Sequence, residues 1–501
     1  FDAGYLVPIM VDELIPGDRV ELNASAILRL NTPIFPIMDN LYMDMHFFAV
    51  PCRLLWDNWQ NFMGERPDPD STIDQYTIPT LARTNATDFG TGTIFDYMGL
   101  PPDCDTAIRP SALPFRAYNL IWNEWYRDQN LQDRVTFVTN DSVDGRANYN
   151  LLRRNKRHDY FTSCLPWPQR TSAVEIPLVG SAPVTGIGVA SATFPLGPIS
   201  ARETDGTGIV SYAGAKDPND PTAVDASVLI EEDPNNIGFP NIRTDLTSAS
   251  GITINDLRDH ITMQQFAELD ARGGTRYTEI IKAHFDVESS DARLQRPELL
   301  GKISHHVSVQ AVQVTGGAAM SRPVGDLGAT AYSTLGNEHG FTYAAEEHCY
   351  IIGLASVRSD LTYSQGVDKL YTRRIREDFY WPTFANLGEQ PVAVSEISAE
   401  PGGSVSTDTF GYQERYAEYR SKRSQITGLF RVDAANSLAA WHLSQDLPVN
   451  VALNSDFIEE DPPIDRIVSV PSEPDFRANF YFEYHCERQI PQFGIPGIAR
   501  I

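Results

Sequence analysis

The sequence predicts an all-β fold, an eight-stranded antiparallel jelly roll with long inserted loops that carry a few short α-helices. Three observations support this prediction. Segments that alternate apolar and polar residues, as half-buried strands do, are spread from one end of the 501-residue chain to the other. Glycine and proline, 34 of each, are abundant between these segments. Helical periodicity is confined to the long connections, an arrangement that suits a jelly roll.

The clearest strands lie near the two ends of the chain. Every second residue from Val20 to Leu30 is apolar, and the same alternation runs from Phe476 to Cys486. Less regular segments between them complete the set. The eight candidate strands are Val20–Leu30, Leu41–Val50, Ala173–Val179, Ile303–Val314, His348–Arg358, Thr427–Val432, Arg466–Val470 and Phe476–Cys486.

Amphipathic helices are predicted inside the connections, where apolar residues recur at three- and four-residue steps. Pro114 suits the first turn of one helix, and Gly273 and Gly274 suit the C-terminus of another. We interpret their aromatic stripes as packing surfaces and not as cofactor sites. The predicted helices are Leu54–Met63, Phe115–Trp125, Asp256–Arg272 and Thr275–Phe285.

One segment differs in composition from the rest of a chain that we otherwise treat as a single domain over residues 1–501. Residues 181–252 contain seven Pro, eight Gly, three aromatic residues and nine acids against three bases. A loop this long in a compact domain is usually functional or disordered. The segment is therefore either a floppy surface insertion or an exposed excursion that contacts a partner.

Charge and cysteine content exclude several classes of protein. With 40 Lys and Arg against 66 Asp and Glu, the formal net charge is −26, which disfavours a free-standing nucleic-acid binder. Charged residues, proline or asparagine break every apolar run, so no membrane span is predicted. Five scattered cysteines without a C-x-x-C pair indicate buried free thiols. We therefore expect the protein to be made in a reducing cytoplasm. Because the chain starts at Phe1, we expect a native N-terminal segment to be missing.

The search for reactive groups predicts a protein that is not an enzyme and has no cofactor and no metal. The common nucleophile, phosphate-loop, dinucleotide and zinc-protease motifs are absent. His305 and His306 are adjacent on a strand and face opposite sides. In the run Glu346 to Cys349, at most two potential ligands face the same side, which disfavours a metal site. Glu459 to Asp461 precede a Pro-Pro turn, which favours a solvated turn over a general acid and base.

One short stretch of the sequence is strongly basic, although the chain as a whole is acidic. Arg153, Arg154, Lys156 and Arg157 precede the aromatic pair Tyr160–Phe161, a mixture that can bind phosphate and stack bases. The other interpretation is that these cations pair with acids on a neighbouring subunit or loop. Weaker basic clusters are Arg373, Arg374 and Arg376, and Arg420, Lys422 and Arg423.

Nine aromatic-rich stretches resemble one family, the major capsid proteins of microviruses, in the gokushovirus branch. They run in order along almost the whole chain, and the large region without a match is Ser181 to about Ile252. The stretches are FDAGYLVPI, TPIFPIMDNLY, WDNWQNFMGE, LPFRAYNLIWNEWYRDQNLQ, RHDYFTSCLPWPQ, DARGGTRYTEII, EHCYIIGLASVR, DFYWP and FGYQERYAEYR.

The resemblance implies a structural protein of a small non-enveloped bacteriophage, made in the cytoplasm of the bacterial host and located in the virion. Sixty copies would close a T=1 icosahedral shell around circular single-stranded DNA. The implied partners are a small basic DNA-binding protein, a scaffolding protein, a pilot protein and a host-cell receptor, without membrane insertion. The inserted segment 181–252 would rise at the threefold axis as the host-attachment protrusion. Its candidate receptor-facing residues are Asp205, Tyr212, Asp217, Asp220, Glu231 and Glu232.

An alternative from another class is a carbohydrate-binding or carbohydrate-active β-sandwich protein, whose aromatic and acidic residues would line a sugar groove. A lectin or glycosidase stays small in solution, whereas a capsid protein forms large particles. A cellular scaffold would differ from a capsid in lacking packaged DNA.

Overall fold

The fold is described from a computed structural model of the chain. The structure describes residues 1–66, 76–82, 86–102, 105, 107–168, 254–313, 315, 327–399 and 408–490, together with the backbone of short strands between 184 and 244. The chain divides into two compact units. One comprises Phe1–Arg170 and Asp270–Ile501, and the other comprises Thr171–Leu269.

Strands dominate the described part of the chain, and helices are short with one exception. The strands are β1 (Val7–Leu14), β2 (Arg19–Leu30), β3 (Leu41–Pro51), β4 (Val184–Thr185), β5 (Ile187–Val189), β6 (Ile199–Arg202), β7 (Ile209–Tyr212), β8 (Val228–Ile230), β9 (Arg243–Thr244), β10 (Glu298–Gln313), β11 (Leu327–Ala344), β12 (Cys349–Ser359), β13 (Glu389–Ala393), β14 (Thr409–Glu414) and β15 (Phe476–Glu487). The helices are α1 (Trp59–Phe62), α2 (Ile94–Tyr97), α3 (Leu113–Ile121), α4 (Ile254–Gly273), α5 (Tyr277–Phe285), α6 (Ala417–Arg420) and α7 (Ser455–Ile458). Within the described ranges, no helix is both long and apolar enough to cross a bilayer.

Seven of these strands form one antiparallel sheet that wraps into the predicted all-β jelly roll. Their order is β1-β12-β3-β10-β11-β2-β15. The 16-residue β10 pairs with β3 through Glu298–Val307 and with β11 through Ser308–Gln313. It therefore contributes to two layers, β1-β12-β3-β10 and β10-β11-β2-β15, and each layer has four strand positions.

The main hydrophobic core lies between the two layers. Alternate residues of β2 and β3 point into it, including the fully buried Leu22 and Phe47. The layers approach closely where β10 passes β11, because a Cβ on Gly301 would lie 1.9 Å from the carbonyl oxygen of Gly340. Glycine is thus required at Gly301 for the backbones to approach.

Two further hydrophobic clusters lie among the long connections, and the first of them attaches connections to the barrel. Phe48, Val50, Ile352 and Leu354 face away from the main core and pack against α3 and its neighbours. The third cluster gathers buried residues of 160–164, 392–397, 410–417 and 451–458 with Tyr363. Because the connections bury their own apolar surface, they are held rigidly against the layer that they cover.

The second unit contains nested strand pairs. β4 pairs with β9, β5 with β8 and β6 with β7, all antiparallel. Each pair lies inside the previous one in sequence, so the segment that contains the predicted insertion folds back on itself. Composition did not predict these strands, since they are only two to four residues long.

The period-two pattern located five of the predicted strands. The predictions that begin at Val20, Leu41, Ile303, His348 and Phe476 correspond to β2, β3, β10, β12 and β15. The candidate Ala173–Val179 lies outside the described residues. Strands β1, β11, β13 and β14 were not predicted. In β11 the alternation is interrupted by two register shifts, between Leu335 and Glu338 and between His339 and Phe341.

Two predicted strands are wrong. Thr427–Val432 contains a 3-10 turn at Gly428–Phe430, where Gly428 has a φ of +70° and interrupts an extended chain. Arg466–Val470 begins inside another 3-10 turn, Ile464–Arg466. The buried residues there, Ile464, Ile467 and Val468, have helical and not alternating spacing.

Three of the four predicted helices are confirmed, and the fourth is shorter than predicted. Phe115–Trp125 corresponds to α3 followed by a π-helical turn, Trp122–Tyr126. The pair of later helices corresponds to α4 and α5. Leu54–Met63 contains only the end of a 3-10 turn, Cys52–Leu54, and the four-residue α1. Between the two, the side chains of Trp56 and Asn58 donate to the Asp141 carboxylate.

Candidate functional site and charged surfaces

The four basic residues singled out by the sequence lie on an extended segment whose backbone pairs with two other parts of the chain. We call Arg153, Arg154, Lys156 and Arg157 the basic cluster. The backbone N–H of Arg154 donates to the carbonyl of Gly4 at 2.9 Å. Glu460 N–H donates to the Arg154 carbonyl, also at 2.9 Å. Side chains on such a segment alternate in direction. Arg154 and Lys156 therefore point inwards, and Arg153 and Arg157 point outwards.

Arg154 reaches a buried carboxylate on β3. Its guanidinium lies 2.7 Å from Asp44 Oδ2 and donates to Ser356 Oγ at 2.8 Å. Arg358 and the Ser304 hydroxyl also donate to Asp44, whose side chain is 5% exposed. Burial alone would raise the pKa of Asp44, but the hydrogen bond from Arg358 and the charge of Arg154 outweigh it and lower the pKa.

Lys156 is an interior cation. Its ammonium donates to Gln445 Oε1 at 2.7 Å and to the carbonyl of Phe457, and it lies 4.7 Å from the centre of the Phe457 ring. Burial lowers the pKa of Lys156 to about 8, and nearby acids, above all Glu460, oppose the shift. Lys156 therefore joins its own segment to Gln445 and Phe457, and these groups enclose its charge.

The two outward residues differ in exposure. Arg153 lies 2.6 Å from Asp461 and stacks on the Tyr5 ring at 4.5 Å, which leaves its side chain 23% exposed. Arg157 makes a weaker 3.8 Å contact with Asp360 and is 51% exposed. Of the four residues in the basic cluster, Arg157 has the most exposed side chain.

Two acids organise this region, Asp44 and Glu460. Sequence analysis did not single out Asp44, and it placed Glu460 in a turn before Pro462, where a solvated carboxylate was expected. Glu460 is buried and accepts hydrogen bonds from the N–H and hydroxyl of Ser359 at 2.9 and 3.1 Å. Burial raises its pKa, although the charges of Lys156 and Arg154 oppose this. The sequence did contain a signal for Asp44, because it is the one acid inside the apolar run of β3. A buried carboxylate requires a cationic partner, so this position predicts a buried ion pair.

A second basic cluster lies on an exposed stretch that we call the aromatic–cationic segment, residues 369–387. Its basic residues are Lys369, Arg373, Arg374 and Arg376, against the acids Glu377 and Asp378. Large apolar side chains that are more than one-third exposed accompany them. They are Leu370, Tyr371, Ile375, Phe379, Tyr380, Trp381 and Leu387.

This segment has little regular secondary structure, yet its shape is fixed by many contacts. Arg373 lies 3.3 Å from Glu418 and stacks 4.2 Å above the Tyr419 ring. Trp381 Nε1 donates to the carbonyl of Arg376 at 2.9 Å, and the Arg376 guanidinium lies 4.5 Å from the Trp381 ring. The exposed Trp381 ring is therefore held in place in the isolated chain.

An open cleft of about 920 Å³ has the opposite charge, and we call it the acidic cleft. Seven acidic residues line it against two basic ones, Arg153 and Arg466. Burial raises the pKa of Asp475 in this cleft to about 6, and the charges of Asp2 and Asp465 add to the shift. The crowding of carboxylates makes the cleft a favourable environment for a cation.

The described residues contain no group of three or more His, Cys, Asp or Glu side chains arranged to hold a metal ion. His305 Nδ1 lies 2.7 Å from Ser333 Oγ, and His306 Nε2 lies 3.3 Å from Asn40 Oδ1. Cys52, Cys164 and Cys349 are buried free thiols, as predicted, and burial raises the pKa of each of them. Cys486 is also a free thiol, but it is only partly buried, because it lies on the edge strand β15. Cys104 lies outside the described residues.

The candidate receptor-facing residues fall almost entirely outside the described part of the chain. Asp205, Asp217, Asp220, Glu231 and Glu232 are not described. Tyr212 ends β7, where its backbone pairs with Ile199. A role for these residues stays a prediction.

Similarity to known proteins extends over nearly the whole chain. Residues 1–498 match a family described as capsid protein (F protein). The capsid protein VP1 of Bdellovibrio phage phiMH2K is 42% identical over 99% of this chain and 92% of its own length. The capsid protein VP1 of Chlamydia phage 1 is 40% identical over 100% and 94%. The capsid protein VP1 of Spiroplasma virus 4 is 34% identical over 100% and 93%.

Proposed function

The chain belongs to the capsid protein (F protein) family, and we propose from this that it is the major coat subunit of a small single-stranded DNA bacteriophage. In this proposal, sixty copies close a T=1 shell around the circular genome, and the chain is a structural protein and not an enzyme. The observation that carries the proposal is the family match over residues 1–498, nearly the whole chain.

The physical properties of the subunit support this function. A shell subunit needs a rigid scaffold and a large contact surface. The two-layer barrel supplies the scaffold, and connections attached by their own hydrophobic clusters supply the surface. The long connections also cover one face of the β1-β12-β3-β10 layer, which limits uncontrolled association of exposed sheet.

The test is electron microscopy of the purified native protein, with the ratio of absorbance at 260 and 280 nm measured before and after nuclease treatment. The proposal expects uniform icosahedral particles whose DNA survives the nuclease. A uniform small species without nucleic acid, under conditions in which the phage is produced, would contradict it.

For contact with the genome we propose Arg157, because half of its side-chain surface is exposed. Arg153, Arg154 and Lys156 are engaged by groups of the same chain. Each copy adds a formal charge of −26, and the genome is also an anion. We therefore propose that a small basic protein neutralises the packaged DNA and that Arg157 assists it. Scaffolding and pilot proteins complete the proposed set of partners.

For attachment to the host we propose the insertion 181–252, placed at the threefold axis. Two observations support the proposal. The segment is acidic and poor in aromatic residues, and its strands pair with one another in nested hairpins. A segment that satisfies its own backbone hydrogen bonds can extend from a subunit without a large apolar core.

A further inference from the structure

The aromatic–cationic segment is the largest concentration of exposed aromatic side chains in the part of the chain that the structure describes. Tyr371 is 77% exposed, and Phe379 and Tyr380 are each 52% exposed. Exposed apolar patches of this kind mark interaction sites in soluble proteins. Tyrosine, tryptophan and arginine are also the residues that supply most of the binding energy at protein interfaces.

The segment is organised for binding before any partner arrives. Asp378 accepts hydrogen bonds from the backbone N–H groups of Arg374 and Ile375 at 2.7 and 3.0 Å. The Tyr416 hydroxyl donates to the Phe379 carbonyl at 3.0 Å. A preorganised aromatic surface binds with a smaller loss of conformational entropy than a flexible loop does.

Charge indicates what the segment binds. Residues 369–387 carry four bases and two acids, in a chain whose net charge is −26. Arg374 is exposed, and the guanidinium of the exposed Arg376 is held against the Trp381 ring. Both cations therefore favour an acidic partner. A second copy of the same chain is such a partner, and it is present at high local concentration in any coat.

The acidic cleft is the surface of that second copy with the matching properties. Exposed carboxylates of Asp456 and Asp465 line it, and its apolar lining includes Leu447, Val451 and Phe457. Its volume of about 920 Å³ accommodates several aromatic side chains. The cations and aromatic rings of the segment would there meet carboxylates and an apolar floor.

We propose that the aromatic–cationic segment of one copy docks in the acidic cleft of a neighbouring copy. The inference rests on the proposed coat function and names one of its subunit contacts. Because the two surfaces are different, the contact is heterologous, and repetition of such a contact closes into rings when the rotation permits.

Charge reversal tests the proposal in the full-length chain, under conditions in which the wild type forms particles. Arg374→Glu with Arg376→Glu should reduce particle yield about tenfold or more, since like charges would then face each other across the contact. Asp456→Arg with Asp465→Arg should do the same. The quadruple variant should restore particles. Electron microscopy and analytical ultracentrifugation measure the yield, and circular dichroism with thermal melting checks that each variant is folded.

Each failure has a distinct meaning. If the wild type forms no particles, the proposed function fails. If either folded double variant assembles like the wild type, the docking contact is wrong. If both variants lose assembly and the quadruple variant does not recover, the pairing of these two surfaces is wrong.

A matched pair of tyrosines tests the aromatic part of the contact. Tyr371→Ser should reduce particle yield, whereas Tyr481→Ser, at a position 68% exposed on β15, should not. Equal effects of the two substitutions would overturn the specific role of the segment.

Discussion

Arg154 lies 110 positions after Asp44 in the chain, and its guanidinium nevertheless stands 2.7 Å from the Asp44 carboxylate, on the covered face of the barrel. This contact joins the connection that follows β3 to β3 itself, an interior strand of the sheet. Arg358 on the adjacent β12 holds the same carboxylate from the other side.

Removing Asp44 should therefore destabilise the subunit strongly. Asp44→Ala leaves two guanidinium groups, of Arg154 and Arg358, without their acid in a buried site, and we expect a loss of about 3–5 kcal/mol in the free energy of unfolding. Urea denaturation of the unassembled chain measures it. The exposed pair Arg477–Glu473 provides the control, because Glu473→Ala should cost at most about 1 kcal/mol. Similar losses in the two variants would contradict a special role for Asp44.

The close approach of β10 and β11 should not tolerate a methyl group. A Cβ on Gly301 would lie 1.9 Å from the carbonyl oxygen of Gly340, and only backbone movement relieves that overlap. We expect Gly301→Ala to lower the free energy of unfolding by about 3 kcal/mol, at the upper end of the usual cost of overpacking. Gly336 on β11 has no atom within 4 Å of the position that an added methyl group would take, so Gly336→Ala is the control and should be nearly neutral. Denaturant unfolding of both variants decides the prediction, and a neutral Gly301→Ala would contradict it.

The folded subunit should become more stable as the pH falls and Asp475 takes up a proton. Burial raises the pKa of Asp475 from its ordinary 3.8 to about 6, with further contributions from Asp2 and Asp465. The folded state then binds the proton more tightly than the unfolded state does, and this contribution is fully present below about pH 4 and lost as the pH rises through about 6. The free energy of unfolding of the wild type, measured relative to Asp475→Asn, should therefore increase from pH 7.5 to pH 4.5.

Denaturant unfolding at several pH values checks this prediction. Asp456→Asn controls for the loss of an aspartate from the same cleft. If the difference in free energy of unfolding between the wild type and Asp475→Asn stays constant across the pH range, the role of Asp475 is contradicted.

Arg157 should affect the genome more than the shell. Arg157→Ala removes a half-exposed charge, and we expect particles of normal size with less packaged DNA or with DNA that is released at lower salt. The absorbance ratio and the salt concentration for DNA release measure these effects. Arg134, whose side chain is 65% exposed, is the matched control and should leave both values unchanged on substitution by Ala. A loss of particles with normal DNA content in those that remain would identify Arg157 as a subunit contact.

Deleting residues 181–252 should separate attachment from assembly. The second unit contains this segment, and its strands pair among themselves, so we expect a variant with a short Gly/Ser linker to form shells. The same particles should not attach to the host. Electron microscopy and an adsorption assay measure the two properties. Deleted particles that attach normally, or failure to form shells, would contradict the prediction.

The strands that were clearest in the sequence, β2 and β15, have one face in the main core and the other face turned away. β2 and β15 alternate visibly because their inward residues, such as Leu22 and Phe476, are buried, while Glu21 and Arg477 face away. β1 shows no such alternation, since Val7 and Pro8 are both buried, and Pro8 is accommodated on an edge strand. β11 lost its pattern through its register shifts.

For the basic cluster, the sequence indicated charge and position but not partners. Arg154 and Lys156 look like Arg153 and Arg157 in sequence, yet the first two are enclosed by Asp44, Gln445 and Phe457. Their acceptors come from strands and loops distant in the chain, and no local pattern indicates which acid folds against which base. The acidic cleft was missed for the same reason.

The sequence by itself determined the all-β class, the five alternating strands, the acidic insertion and the resemblance to microvirus capsid proteins, because periodicity and motifs depend on residues that are neighbours in the chain. The tertiary structure alone decided that Lys156 is interior, that Arg157 is exposed and that aromatic rings of residues 369–387 face outwards. Burial and ion pairing depend on contacts between distant residues. Those contacts offset the cost of removing charges from water only when the whole barrel and its connections have come together.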